Sequence, residues 1–349
     1  MAVKVTGIGS LPHQEIEAGL ALIQKYMGDW PHWPQFPARG WQEEFVPQYV
    51  SPLIQLGLVE KRGTKLVFAT DGEDFPLRLA DFYELYLAAQ EGESRALAAF
   101  ALPEASASGL YALVRSIQAG NWQAQGVKGQ LSGPITIGFQ LLQPDGRAAY
   151  YDEQLRDVIL KACEMGARWQ TRFLREETGL PVIVSVDDPG IYALGLSTHI
   201  TLTREGIKED LTTVMTAIKA EGGRTGLHCC AGTDWSMVME CPLDILFFDA
   251  YEYLTSLLVH IPALQAYFQR GGEVAWGLVP TSPRIETETA ESLLARWQEV
   301  LAALEQRGLD RELVLPRSWL TPSCGTGTLS VAAAEKVYHI TAELAEKIF

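Results

Sequence analysis

The feature that most constrains this chain is an alternation repeated along its length. A short apolar run closes on a glycine or an acid, and a segment with helical spacing follows. Val3-Lys4-Val5-Thr6-Gly7-Ile8-Gly9-Ser10 ends in a glycine turn, ahead of Ile16, Leu20, Ile23 and Met27 at helical spacing. Pro181-Val182-Ile183-Val184-Ser185-Val186 ends in Asp187-Asp188-Pro189-Gly190. A helix from about residue 152 to 177 precedes it, stopped by Gly179, and a helix capped by Thr203 follows it and closes at Gly222. Strands that alternate with helices pair in parallel. Eight strands are counted, near residues 5, 34, 129, 184, 226, 246, 277 and 315, the last over Leu313-Val314-Leu315. The prediction is an α/β fold, a single (β/α)8 TIM barrel with residues 1–349 as one domain and its active site at the C-terminal ends of the strands. Residues 50–120 are the least regular: Leu66-Val67-Phe68-Ala69 reads as a hairpin strand or insertion, and the alanine-rich stretches beside Pro103 as helices.

Composition narrows the function. The 349 residues carry a net charge of −15, which repels phosphate backbones and argues against nucleic acid as a partner. No cationic leader and no run of about 18 apolar residues is present, so a soluble, cytoplasmic protein without a membrane role is expected. The cysteines number five, an odd count with two adjacent, which fits metal binding or catalysis better than a disulfide framework.

The chemistry concentrates at strand ends. His228 and Cys230 stand two apart on one strand, so their side chains share a side. Cys324, in Pro322-Ser323-Cys324-Gly325, and Asp249, after Ile245-Leu246-Phe247-Phe248, come from other strand ends. One imidazole, two thiols and a carboxylate are a donor set for tetrahedral Zn2+. The alternative is a pair of small buried thiols beside a hydrogen-bonded histidine. Trp30, Trp33 and Trp41, three of nine tryptophans, crowd one proline-rich segment and read first as packing, second as a wall over a pocket. Glu43 and Glu44 follow them.

Seven short motifs then fall in one order. They are Gly7-Ile8-Gly9-Ser10-Leu11-Pro12, Gly129-Gln130-Leu131-Ser132-Gly133-Pro134-Ile135-Thr136, Val186-Asp187-Asp188-Pro189, His228-x-Cys230, Asp244-Ile245-Leu246-Phe247-Phe248-Asp249, Ser282-Pro283-Arg284-Ile285 and Pro322-Ser323-Cys324-Gly325. In this order the chain resembles the catalytic-domain half of cobalamin-independent methionine synthase, a core type without the N-terminal barrel, within the uroporphyrinogen decarboxylase-like superfamily. The resemblance implies zinc held by His228, Cys230 and Cys324, with Asp249 at the position of the family's glutamate ligand and Glu252 or water as a substitute. It implies that Ile8, Gly9 and Ser10 hold the carboxylate of homocysteine and that Asp187 pairs with its ammonium group. The implied activity is S-methyl transfer to that thiol, giving methionine.

Three departures concern the methyl donor. The family's folate-stacking tryptophan falls on Gln140, a folate-binding glutamate falls on Ala193, and the histidine proton donor falls on Thr281. A methylcorrinoid needs no proton on its leaving group, so a corrinoid protein is the expected donor rather than methyltetrahydrofolate. Trp33, Trp41 or His13 would otherwise have to replace the missing groups. The rival readings are a corrinoid:thiol methyltransferase of the coenzyme M type and a non-catalytic zinc- and thiol-binding barrel.

Overall fold

The computed structural model describes residues 3–199 and 201–348. Its centre is a curled sheet of seven parallel strands. In chain order these are β1 (Lys4–Val5), β4 (Val127–Ser132), β5 (Val182–Asp187), β6 (Arg224–Cys229), β7 (Ile245–Phe248), β8 (Glu273–Val279) and β9 (Ser318–Pro322); β2 (Val59–Arg62) and β3 (Lys65–Phe68) form a separate antiparallel hairpin. Across the sheet the order is β1-β9-β8-β7-β6-β5-β4, so each strand from β4 to β9 lies beside its successor and the start of the chain lies beside β9. Parallel neighbours need a crossover, and helices supply most of them. Glu153–Thr178 leads into β5 and Arg204–Ala220 into β6. The Asp152 carboxylate accepts the Leu155 N–H at the first helix's start, and Thr203 caps the second through Gly206 N–H. Gly179, at φ 67°, ends the first in the left-handed conformation that favours glycine.

Side chains alternate across a strand, so the two faces of the sheet bury different sets. A Cβ on Gly129 would meet Gln170 and Leu174 of the long helix, which makes that the outer face of β4. Lys128, Gln130 and Ser132 therefore point to the concave face. Ile8, Trp30, Ile183, Ile245, Phe247, Ala275 and Trp319 form a small apolar cluster of their own, and a much larger cluster fills the space between sheet and helices.

The structure alters two expectations. The strand expected near residue 34 is not a regular strand. Pro31, Pro34 and Pro37 lack an N–H, so the segment makes only single bridges, His32 to Lys128 and Ser10 to Gln35. These still tie it to both edges of the sheet, through Trp33 N–H to Lys128 O (3.1 Å), Lys128 N–H to Pro31 O (2.8 Å), Gln35 N–H to Gly9 O (3.2 Å) and Leu11 N–H to Gln35 O (2.8 Å). The last strand is Ser318–Pro322. Leu313 and Val314 belong to a short helix, Arg311–Val314, and Leu315 opens the turn Leu315–Arg317. Pro316 removes a ladder donor directly after the apolar run, so pairing begins only beyond it. After β7 come two helices, Leu254–Leu258 and Ile261–Gln269, with Pro262 in the first turn of the second. Leu66, Val67 and Phe68 form the second strand of the hairpin, and the alanine-rich stretches carry helices Ser94–Ala98 and Ser108–Gln118. Among the described residues no helix is long and apolar enough to cross a membrane.

Candidate metal centre and thiol pocket

His228 lies near the end of β6 on the concave face, and its ring is fixed from behind. Nδ1 stands 3.1 Å from the carbonyl oxygen of Phe247 on β7, and as donor to it leaves the lone pair on Nε2. Nε2 is buried and has no hydrogen-bond partner. Leaving a polar atom unsatisfied in the interior costs about 1–3 kcal/mol, so a buried orphan calls for a partner. Cys230 and Cys324 provide the setting. The ring nitrogen and the two Sγ atoms lie within 4.8 Å of one another. Two thiolates on one tetrahedral zinc stand about 3.8 Å apart, so these donors close on an ion by modest side-chain movement. The residues present thus fit a metal of zinc's preferences. The Cys324 thiol holds Cys230 below the usual thiol range, burial opposes this, and the His228 ring adds to the lowering. Cys324 is pushed well up by Cys230 and by burial. The pair therefore holds one thiolate readily.

Asp249 is buried but is not among the donors gathered within 4.8 Å. Its Oδ1 accepts the Glu252 N–H at 2.9 Å. Burial raises its carboxyl to about 6, and that hydrogen bond opposes the rise. Glu252 faces Arg284 at 3.4 Å. Asp249 through Oδ1 and Glu252 through Arg284 thus each have one partner outside the donor group.

The three donors open into a cavity of about 470 Å³. Ile8, Ser10 and Asp187 line it with them, as do Gln35, Glu43, Glu44 and the apolar lip Phe45-Val46-Pro47. The Ser10 turn and the Cys324 turn are locked together. Ser10 O accepts from Thr326 N–H (2.8 Å) and Thr326 Oγ1 (3.0 Å), and Ser10 Oγ accepts from Gly327 N–H (3.2 Å). Gly325 is required there, because a Cβ would fall 2.2 Å from Ser10 Oγ. Gly9 is likewise pressed against Gln35 and does not itself line the cavity. Asp187 accepts from Ser185 Oγ at 2.6 Å; burial raises its carboxyl and the charge of Lys128 opposes the rise. Asp188 turns away from the cavity and takes the N–H groups of Ile135 and Thr136 and the Thr136 hydroxyl, capping the helix Pro134–Gln140.

The donor-side positions are distributed differently. Gln140 is exposed on the rim, while Ala193 is buried and outside the lining. Thr281 lies behind Cys324, donating its N–H to Ser323 Oγ at 3.1 Å, and does not line the cavity. Trp33 is buried against Gln170 (2.9 Å), Trp30 packs edge-on to Trp319 (5.0 Å), and neither they nor Trp41 and His13 line it. Sequence reasoning missed Lys128, a lysine with no exposed surface under the site. Its one signal was a cation in a strand otherwise buried throughout.

No protein-family model matches the chain, and no curated protein matches it by sequence. Solved structures do match. A Listeria monocytogenes protein with the provisional name vitamin-B12-independent methionine synthase aligns over 96% of this chain and 86% of its own, at 16% identity and a TM-score of 0.53. A methyltransferase from Methanosarcina mazei aligns over 98% of this chain and 94% of its own, at 13% identity and the same TM-score. At such identities the likeness is one of fold. It fits the α/β fold of alternating strands and helices expected from the sequence.

Proposed function

We propose that this protein is a zinc-dependent methyltransferase that moves a methyl group to the sulfur of homocysteine. The observation that carries the reading is the orphaned His228 Nε2 facing two thiols inside a cavity. The names of the two structural neighbours support methyl transfer in general. Bound zinc would take the substrate sulfur and keep it a thiolate at neutral pH. The chain's own residues do the rest. Ile8 and Ser10 offer backbone and hydroxyl groups to the amino-acid end, Asp187 offers a carboxylate to its ammonium, and the lip Phe45-Val46-Pro47 limits water at the reacting sulfur. Among the described residues no lysine or arginine lines the cavity, which favours this acceptor over a sulfonate thiol.

For the donor we propose a methylcorrinoid protein. Among the described residues His228, the proposed ligand, is the only histidine in the lining, and Thr281 stands outside it, so no histidine is free to protonate a folate nitrogen. The segment at Pro31–Gln35 serves in this reading as the eighth stave of a closed (β/α)8 barrel, and a reducing cytoplasm suits the free cysteines.

The test is metal content of the wild type beside Cys324→Ser, with zinc X-ray absorption before and after homocysteine. About one zinc per chain, lost in the variant, and a new sulfur ligand on adding homocysteine are expected. Zinc indifferent to Cys324 and to the thiol would sink the reading. Methyl transfer from methylcobalamin against methyltetrahydrofolate then tests the donor, and efficient folate use would exclude the corrinoid.

A further inference from the structure

Among the described residues Lys128, on the concave face, is the one lysine with no exposed surface. Its ammonium donates to Ile8 O at 2.6 Å and reaches Gln130 Oε1 at 3.4 Å. It lies 5.2 Å from the centre of the Phe247 ring, a cation over an aromatic face. Each contact leads to the site above. Ile8 begins the turn whose Ser10 is bolted to the Cys324 loop. Gln130 donates to Trp33 O at 3.0 Å and so holds the segment that carries Gln35. Phe247 supplies the carbonyl that orients His228.

Packing does not account for a cation here. Burying an ammonium costs several kcal/mol even when it is paired, and a methionine would fill the same volume without that cost. Its direct partners are a main-chain carbonyl and a side-chain amide, while its charge also acts on the Asp187 carboxylate without a direct contact. The acceptor it chooses is a lining residue of the cavity. We infer that Lys128 is a positioning residue, which fixes the Ile8–Ser10 turn in the geometry that receives the amino-acid end of the thiol substrate. The inference rests on the thiol-binding function proposed above.

The test separates the amino-acid end from the sulfur. With cobalt in place of zinc, a thiol on the metal gives a sulfur-to-metal charge-transfer band, which reports binding without any methyl donor. Homocysteine and 2-mercaptoethanol share the thiol, and only homocysteine has the amino-acid end. The wild type is expected to prefer homocysteine by at least about 100-fold. Lys128→Met is expected to bind metal at the same stoichiometry and to unfold in urea no earlier than the wild type. Its affinity for homocysteine should fall about tenfold or more while 2-mercaptoethanol is unaffected, so the preference narrows. Lys128→Gln serves the same comparison if the methionine variant does not fold. A preference unchanged in the variant, or a parallel loss for both thiols, would overturn the role of Lys128. A wild type whose cobalt band responds to neither thiol would overturn the proposed function instead, and this inference with it.

Discussion

His228, Cys230 and Cys324 differ from their neighbours in what they leave unsatisfied. The ring has one nitrogen paired and one bare, and the two sulfurs lie close enough to it to share one metal. Asp249 is different in kind, since its Oδ1 accepts a main-chain N–H and it lies outside the group of donors within 4.8 Å. Asp249→Asn is therefore expected to weaken zinc binding by about 10- to 100-fold, the range for a group acting behind the ligands, whereas His228→Ala abolishes it. Competition with a chromophoric chelator measures both, and equal losses would make Asp249 a ligand in its own right. At this scale the sequence was readable where residue type carries the chemistry. Histidine and cysteine at strand ends are rare enough to stand out. Lys128 was not readable, because a lone lysine in a strand reads as solvated, and only the curl of the sheet shows that its side chain points inward.

Between strands and helices, contacts are close enough that small changes propagate. Gly129 faces Gln170, whose amide accepts from Trp33 Nε1 (2.9 Å) and donates to Gln130 O (3.0 Å). A Cβ on Gly129 would fall 2.2 Å from Gln170 Oε1. Gly129→Ala is expected to destabilise by about 1–3 kcal/mol, read as a lower urea midpoint with an unchanged slope. Asp188→Ala removes three hydrogen bonds to the start of the helix Pro134–Gln140 and is expected to cost about 2–4 kcal/mol while leaving metal content intact. Metal loss in folded Asp188→Ala would place that acid in the site after all. Strands β4 to β8 and their helices were legible because buried parallel strands are continuous apolar runs closed by glycine or acid. The final strand was misplaced by the apolar run Leu313-Val314-Leu315, whose pattern is too short to separate a strand from a helical turn.

For the molecule as a whole, a buried histidine sets a pH limit. His32 is buried between Trp33 O (3.2 Å) and the Tyr338 hydroxyl (2.6 Å). Burial, and then the charge of Lys128, hold its imidazole down to about 3. An unfolded histidine titrates near 6.5, so above that pH both states are neutral and stability is full. Below it the unfolded chain takes up a proton that the folded chain refuses, and stability falls by up to about 1.4 kcal/mol per pH unit until the folded value is reached. Between pH 7 and 5 the wild type is expected to lose about 2 kcal/mol more than His32→Gln in urea titrations. Equal losses would mean that the folded ring accepts the proton.

The tie at Pro31–Gln35 has a consequence for how ligands enter. Two main-chain hydrogen bonds on each side hold this stretch, and its prolines can donate none, while neighbouring strands are laced along their length. Local opening takes the route with fewest bonds to break. The Trp33 and Gln35 amides should thus exchange with deuterium sooner than those of β5 and β6, and Gln35 borders the cavity. A molecule that fills the cavity would slow exchange at this seam first, so the breathing of one proline-rich stave becomes a gauge of occupancy that needs neither turnover nor a metal signal.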